Sequence, residues 1–120
     1  GEEDVMPLKM TTIQPDGDTR DWEIDVDKLT FDDHWPELQR EIETDGGKPV
    51  TLLEFVRVNN AGTEMCLIVD ENGIFMDRKP NPKATLLYRG VRENSLHSDD
   101  GPTIHGAAIL VHGRKFDIMD

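Results

Sequence analysis

Arg78, Lys79, Lys83, Arg89 and Arg92 crowd into a stretch that holds a single acid, Asp77. Cations at that density can grip a phosphate or carboxylate through charge-assisted hydrogen bonds. Asn81-Pro82 beside them is a good N-cap and first-turn pair, so the N–H groups of a helix start would add to the attraction. Arg78, Lys79, Asn81, Lys83 and Arg89 therefore form a candidate site for a small anionic ligand or a nucleotide, bound simply or acted on by an enzyme. The plainer alternative is a solvated loop whose cations pair with carboxylates elsewhere on the chain.

Those carboxylates are concentrated towards the other end. Residues 1–47 carry 15 acidic and 4 basic side chains, residues 48–120 carry 10 and 9, and the whole chain has a formal charge of -12. Asp16, Asp18, Asp21, Glu23, Asp25, Glu37 and Glu41 make a candidate acidic binding surface, with Asp27, Asp32 and Asp33 beside them. A fixed carboxylate array competes for the Arg and Lys side chains that DNA phosphates occupy, so mimicry of DNA towards a DNA-binding protein is one use for it. Solubility is the bland account of the same residues. Direct binding of DNA would have to act against the average field of the chain.

Other chemistry fails on spacing. Asp16-Gly17-Asp18 with Asp21 suggests a calcium loop, but such a loop wants Gly at its sixth position and Glu at its twelfth, where this chain has Asp21 and Asp27. A zinc site would need three or four ligands converging on one point, and the histidines are His34, His97, His105 and His112. His105 and His112 lie an odd number of residues apart and face opposite sides of a regular strand, unless a bulge at Gly106 intervenes. Cys66, the only cysteine, lies in the apolar run Met65-Cys66-Leu67-Ile68 and reads as a buried, inert thiol. No Gly-rich phosphate loop, Gly-x-Ser-x-Gly elbow or HExxH helix is present. The expectation is no metal, no cofactor and a binding protein rather than an enzyme.

The elements that must position these residues follow from local pattern. Val5 to Gln14 reads as a strand, Pro15-Asp16-Gly17-Asp18 as a turn, and Arg20 to Val26 as a second strand alternating Trp22, Ile24 and Val26 with Asp21, Glu23 and Asp25. Phe31, Trp35, Leu38 and Ile42 recur at spacings of four, three and four, which predicts a long helix from near Asp33, with Pro36 in its first turn and Asp45-Gly46-Gly47 as its stop. Val50 to Val58 and Glu64 to Asp70 form a central hairpin around Asn59-Asn60-Ala61-Gly62. Glu71-Asn72-Gly73 turns into Ile74-Phe75-Met76, an apolar element expected to pack at a sheet edge or under the next loop. A short helix follows Asn81, with Ala84, Leu87 and Tyr88 facing inward and Gly90 closing it. Residues 92–102 read as an exposed loop, and Thr103 to His112 as a last strand in which Gly106 marks a bulge or a close backbone contact.

Asp70-Glu71-Asn72-Gly73, then Pro80-Asn81-Pro82-Lys83-Ala84-Thr85, then Ile104-His105-Gly106 before Ala107 to Val111 resemble the domain of unknown function 3846 family. That family's pattern begins its first turn with Asn where this chain has Asp70. The resemblance covers most of the chain from Lys9 onward. It implies a small protein of a phage, plasmid or other mobile element, notably actinobacterial, and a context rather than a mechanism. On that footing the expected role is an accessory protein that binds a host or phage macromolecule.

The fold expected is α+β: one domain over residues 1–120, with a single mainly antiparallel sheet, the long helix on one face and the short helix near one edge. Gly1 to Asp4 is expected to be a disordered or tag-derived tail. It lacks the basic and apolar regions of a signal peptide, and no apolar run approaches the roughly 20 residues of a membrane span. A cytoplasmic setting is expected, that of the host cell if the gene is phage-borne, with no membrane partner.

Overall fold

Strand β4 (Thr63–Asp70) and strand β5 (Ala108–Val111) are apolar on consecutive positions, the pattern of strands covered on both faces. The computed structural model, which describes residues 8–24, 31–43, 49–50, 52–60, 63–89 and 103–112, places them in the middle of a sheet. The remaining strands are β1 (Leu8–Ile13), β2 (Thr19–Ile24) and β3 (Leu53–Asn60), and the order across the sheet is β2-β1-β5-β4-β3. Every neighbouring pair is antiparallel.

Two local hairpins, β1-β2 and β3-β4, thus never pair with each other. The last strand joins them: Thr11 pairs with Leu110 on one side, and Leu67 pairs with Leu110 on the other. All four residues of β5 are buried.

Helices cover both faces. Helix α1 (Phe31–Glu43) brings Leu38 and Ile42 onto Leu8, Met10, Cys66, Ile68, Ile109 and Val111, with Trp22, Trp35 and Phe55 closing the margin. Helix α2 (Pro82–Arg89) brings Ala84, Leu87 and Tyr88 onto Ile13, Val58, Leu67, Val69, Ala108 and Leu110. Period-two alternation sorts the two sets, so Cys66 and Ile68 face α1 while Leu67 and Val69 face α2. The short helix is therefore a third layer, and its main contact is with β3, an edge strand of the sheet. Ala108, with almost no side chain, leaves space on the α2 face, which longer residues at Leu67 and Leu110 flank.

Three local expectations are corrected. α1 begins at Phe31 rather than near Asp33, which puts Pro36 beyond the first turn and leaves the Asp32 carbonyl without its usual N–H partner. The last strand is shorter than Thr103 to His112: Gly106 has φ +96°, and the chain ahead of it makes only an isolated bridge, Pro80 with His105. Ile74 and Phe75 are 64% and 87% exposed rather than packed at a sheet edge or under the following loop. Asp25 and the stretch 92–102 lie outside the described residues, and no described helix is long and apolar enough to cross a membrane.

Candidate functional site

A carboxylate that ends an apolar strand must find a donor or stay protonated. Asp70, the last residue of β4, finds two: its Oδ2 accepts from Arg78 Nε at 2.8 Å and its Oδ1 accepts from the Asn72 backbone N–H at 2.9 Å. The Arg78 side chain is wholly buried and also donates to the Pro49 carbonyl at 3.1 Å. Between the two ion-pair partners the chain makes a tight double turn, Gly73 N–H to Asp70 O, Met76 N–H to Asn72 O and Arg78 N–H to Gly73 O. Asp77 takes a positive φ of 60° at its end, a conformation Asp tolerates better than most residues.

The same turn is locked from the other side by residues 104–106. The Gly106 N–H donates to the Lys79 carbonyl at 2.7 Å, and a Cβ on Gly106 would come within 2.6 Å of Arg78 Cδ. A Cβ on Gly73 would collide with the His105 carbonyl oxygen. His105 Nδ1 lies 3.0 Å from the Arg78 carbonyl, which can only accept, so Nδ1 carries a proton and Nε2 is the nitrogen turned to other partners.

Asn81 ties this unit to the sheet. Its Oδ1 accepts from the Ala84 N–H at 3.1 Å as the N-cap of α2, and its Nδ2 donates to the carbonyls of Ile13 and Gly106, each at 2.9 Å. The Thr85 hydroxyl donates to the Asn81 carbonyl and accepts from the Ile104 N–H. The segments around Asp70, Asn81 and Ile104 thus converge on one knot, and most of their polar atoms face one another.

What the knot presents to solvent is the tip of the turn, Ile74-Phe75. Leu52, 47% exposed, joins it through its carbonyl, which accepts from the Glu71 N–H at 3.0 Å. Beside the tip lies a pocket of about 180 Å³. Val56, Val69, Ile104 and Tyr88 line its apolar part, and Glu54, Glu71 and His105 supply polar groups.

The proposed anion-site residues do not form one site. Arg78 is taken up by Asp70 and Asn81 is fully buried and fully hydrogen-bonded, which corrects their reading as ligand-facing groups. Lys79 and Lys83 are exposed, and the Arg89 side chain lies outside the described residues. The local basic run concealed that one of its cations belongs to a buried carboxylate eight residues earlier.

The acidic residues divide as well. Asp16, Asp18, Asp21 and Glu23 are exposed on the β1-β2 hairpin, where Asp16 caps its own turn through the Asp18 N–H, and Glu37 is half-buried on α1. Glu41 is structural. It accepts from the Thr12 hydroxyl, which itself accepts from Trp22 Nε1, and it pairs with Arg20, fixing α1 to the hairpin.

A concavity of about 430 Å³ opens on the sheet face beside β2, lined by Lys9, Thr11, Asp21, Glu23 and His112. The Thr11 hydroxyl donates to Asp21 Oδ1 at 2.7 Å and lies 2.6 Å from His112 Nε2. Its single proton goes to the carboxylate, so His112 Nε2–H is the donor to it. An activated nucleophile needs the opposite direction, with the histidine accepting. The arrangement orders the rim of the concavity and does not prime Thr11. Among the described residues no group of His, Cys, Asp and Glu is placed to hold a metal ion. Cys66 is buried in the α1 face, where burial pushes its thiol up to about 12.

The tip and its pocket had one usable sequence signal: Ile74-Phe75 between Gly73 and Asp77, an apolar pair with turn residues on both sides and too short to form a strand. No family model matches this chain, and no curated protein or solved structure matches it either.

Proposed function

We propose that this chain is a non-enzymatic recognition protein that docks on a partner protein through the Ile74-Phe75 turn. The observation that carries the proposal is the contrast within one turn: Phe75 is 87% exposed, while the Asp70 and Arg78 side chains that hold its ends are 1% and 0% exposed. A large aromatic kept in water forgoes roughly 1.5–3 kcal/mol of burial. On a turn pinned by a buried ion pair it needs little further ordering to bind, which is the condition for an anchor residue at an interface. The resemblance to small mobile-element proteins sets the expected partner as a host or phage macromolecule, met in the host cytoplasm.

An anion-binding reading has less support, because only Lys79 and Lys83 of its residues present exposed side chains in the described structure. Affinity capture from host lysate at low salt, run in parallel with the wild-type chain and Phe75→Ala, tests the docking reading. A partner retained by the wild type and reduced at least about tenfold by the variant, with an unchanged melting temperature, is the expected result. Equal capture by both chains, or no partner for either, would sink it.

A further inference from the structure

Resting on that docking role, we propose that the pocket beside the turn receives one arginine side chain of the partner. At about 180 Å³ it is smaller than the roughly 300–1,000 Å³ typical of pockets for drug-sized ligands and cofactors, and it suits a single side chain. Its lining sorts into the two parts an arginine needs. Val56, Val69, Ile104 and the Tyr88 ring offer apolar surface for the methylene stem, while Glu54 and Glu71 offer carboxylates to the guanidinium.

Among the described residues the lining holds no Lys or Arg, its carboxylates are Glu54, Asp70 and Glu71, and Asp70 is already neutralised by Arg78. Among the described residues neither Glu54 nor Glu71 makes an ion pair, and both are exposed. His105 adds a third acceptor. With its Nδ1 proton directed at the Arg78 carbonyl, Nε2 is the ring atom left to accept. A pocket of acceptors on an apolar floor, on a chain of formal charge -12, complements the planar five-donor fork of arginine better than any anion. Ile74 lines the pocket as well as the tip, so the arginine and the surface that buries Phe75 would be contiguous on the partner.

The test is a titration of the 15N-labelled full chain with N-acetyl-arginine amide to millimolar concentration, followed by amide shifts, beside the neutral isostere N-acetyl-citrulline amide. The expected result is saturable shifts at Glu71, Gly73, Tyr88 and Ile104 with the arginine probe and none with citrulline. Glu54→Gln/Glu71→Gln should weaken the arginine response about fivefold or more. Equal response to citrulline, an undiminished response in the double variant, or shifts confined to the Asp16 to Glu23 hairpin would overturn the pocket assignment. Phe75→Ala separates the two proposals. If the arginine probe fails while partner capture still depends on Phe75, only the pocket is wrong; if the probe binds while capture ignores Phe75, only the docking turn is wrong.

Discussion

Arg78 Nε and Asp70 Oδ2 lie 2.8 Å apart with both side chains out of water, so a turn that displays a bare phenylalanine is closed by a buried salt bridge. Burying two charges is costly, and breaking such a pair from one side leaves the other charge stranded. Arg78→Met should therefore cost about 3–5 kcal/mol in urea unfolding. Asp70→Asn/Arg78→Met should lose less than Arg78→Met alone, because the amide oxygen still accepts from the Asn72 N–H and no lone charge remains. Additive losses in the double-mutant cycle would show that the two side chains are not coupled.

Asn81 gives a sharper test, because its two amide ends do different jobs. At an ordinary N-cap Asp and Asn are close to equivalent. Here the Nδ2 end donates to two buried carbonyls, Ile13 and Gly106, and an aspartate would turn an oxygen towards both. Asn81→Asp should thus keep the cap to Ala84 and still destabilise the chain by about 2–4 kcal/mol, from two orphaned acceptors and their repulsion. Equal unfolding midpoints for the wild type and Asn81→Asp would mean that the amide does not bridge the turn to the sheet.

The parts of the fold that were legible in the sequence are those written over a few neighbouring residues. Trp22 and Ile24 alternate with Asp21 and Glu23, Leu38 and Ile42 share a helical stripe, and Asn81-Pro82 opens a helix; each appears where local stereochemistry puts it. The rest depends on pairings far apart in the chain. That β5 would enter between β1 and β4 is decided by Ile109 and Leu110 meeting strands from both hairpins, and nothing near residue 109 states it. Likewise, five clustered cations look alike in a sequence, and only the ending of β4 in Asp70, a carboxylate after an apolar run, hinted that Arg78 would be claimed. The Ile74-Phe75 tip misled for the same reason, since apolarity implies burial only where some other element is available to cover it.

Cys66 should be chemically silent while the chain is folded. Burial raises its thiol from 9.0 to about 12, so the thiolate that attacks alkylating reagents is nearly absent at mildly alkaline pH, and the α1 face shields the sulfur. Iodoacetamide labelling at about pH 8 should proceed only in denaturant, or natively at the rate of global opening. Fast native labelling would place the thiol at the surface and α1 off the sheet.

Glu43 makes the acid side of the stability profile predictable. Gln39 Nε2 donates to its Oε2 at 3.0 Å and the Val50 N–H donates to the same oxygen at 2.8 Å, tying the end of α1 to the approach to β3. The Gln39 bond, then the Val50 bond, with a smaller pull from Arg78, hold the carboxyl below its ordinary 4.5 against a modest opposing effect of burial. A carboxyl lowered in the folded state binds protons more tightly when unfolded. Its stabilisation is complete above the unfolded value and is lost as the pH falls through the folded one. Glu43→Gln should accordingly lower the unfolding midpoint at about pH 7 and converge on the wild type as the pH falls well below 4.5, where the wild-type carboxyl is protonated in both states. A gap between the two chains that stays constant down to about pH 2 would mean that the charge of Glu43 contributes nothing to the tie between α1 and β3.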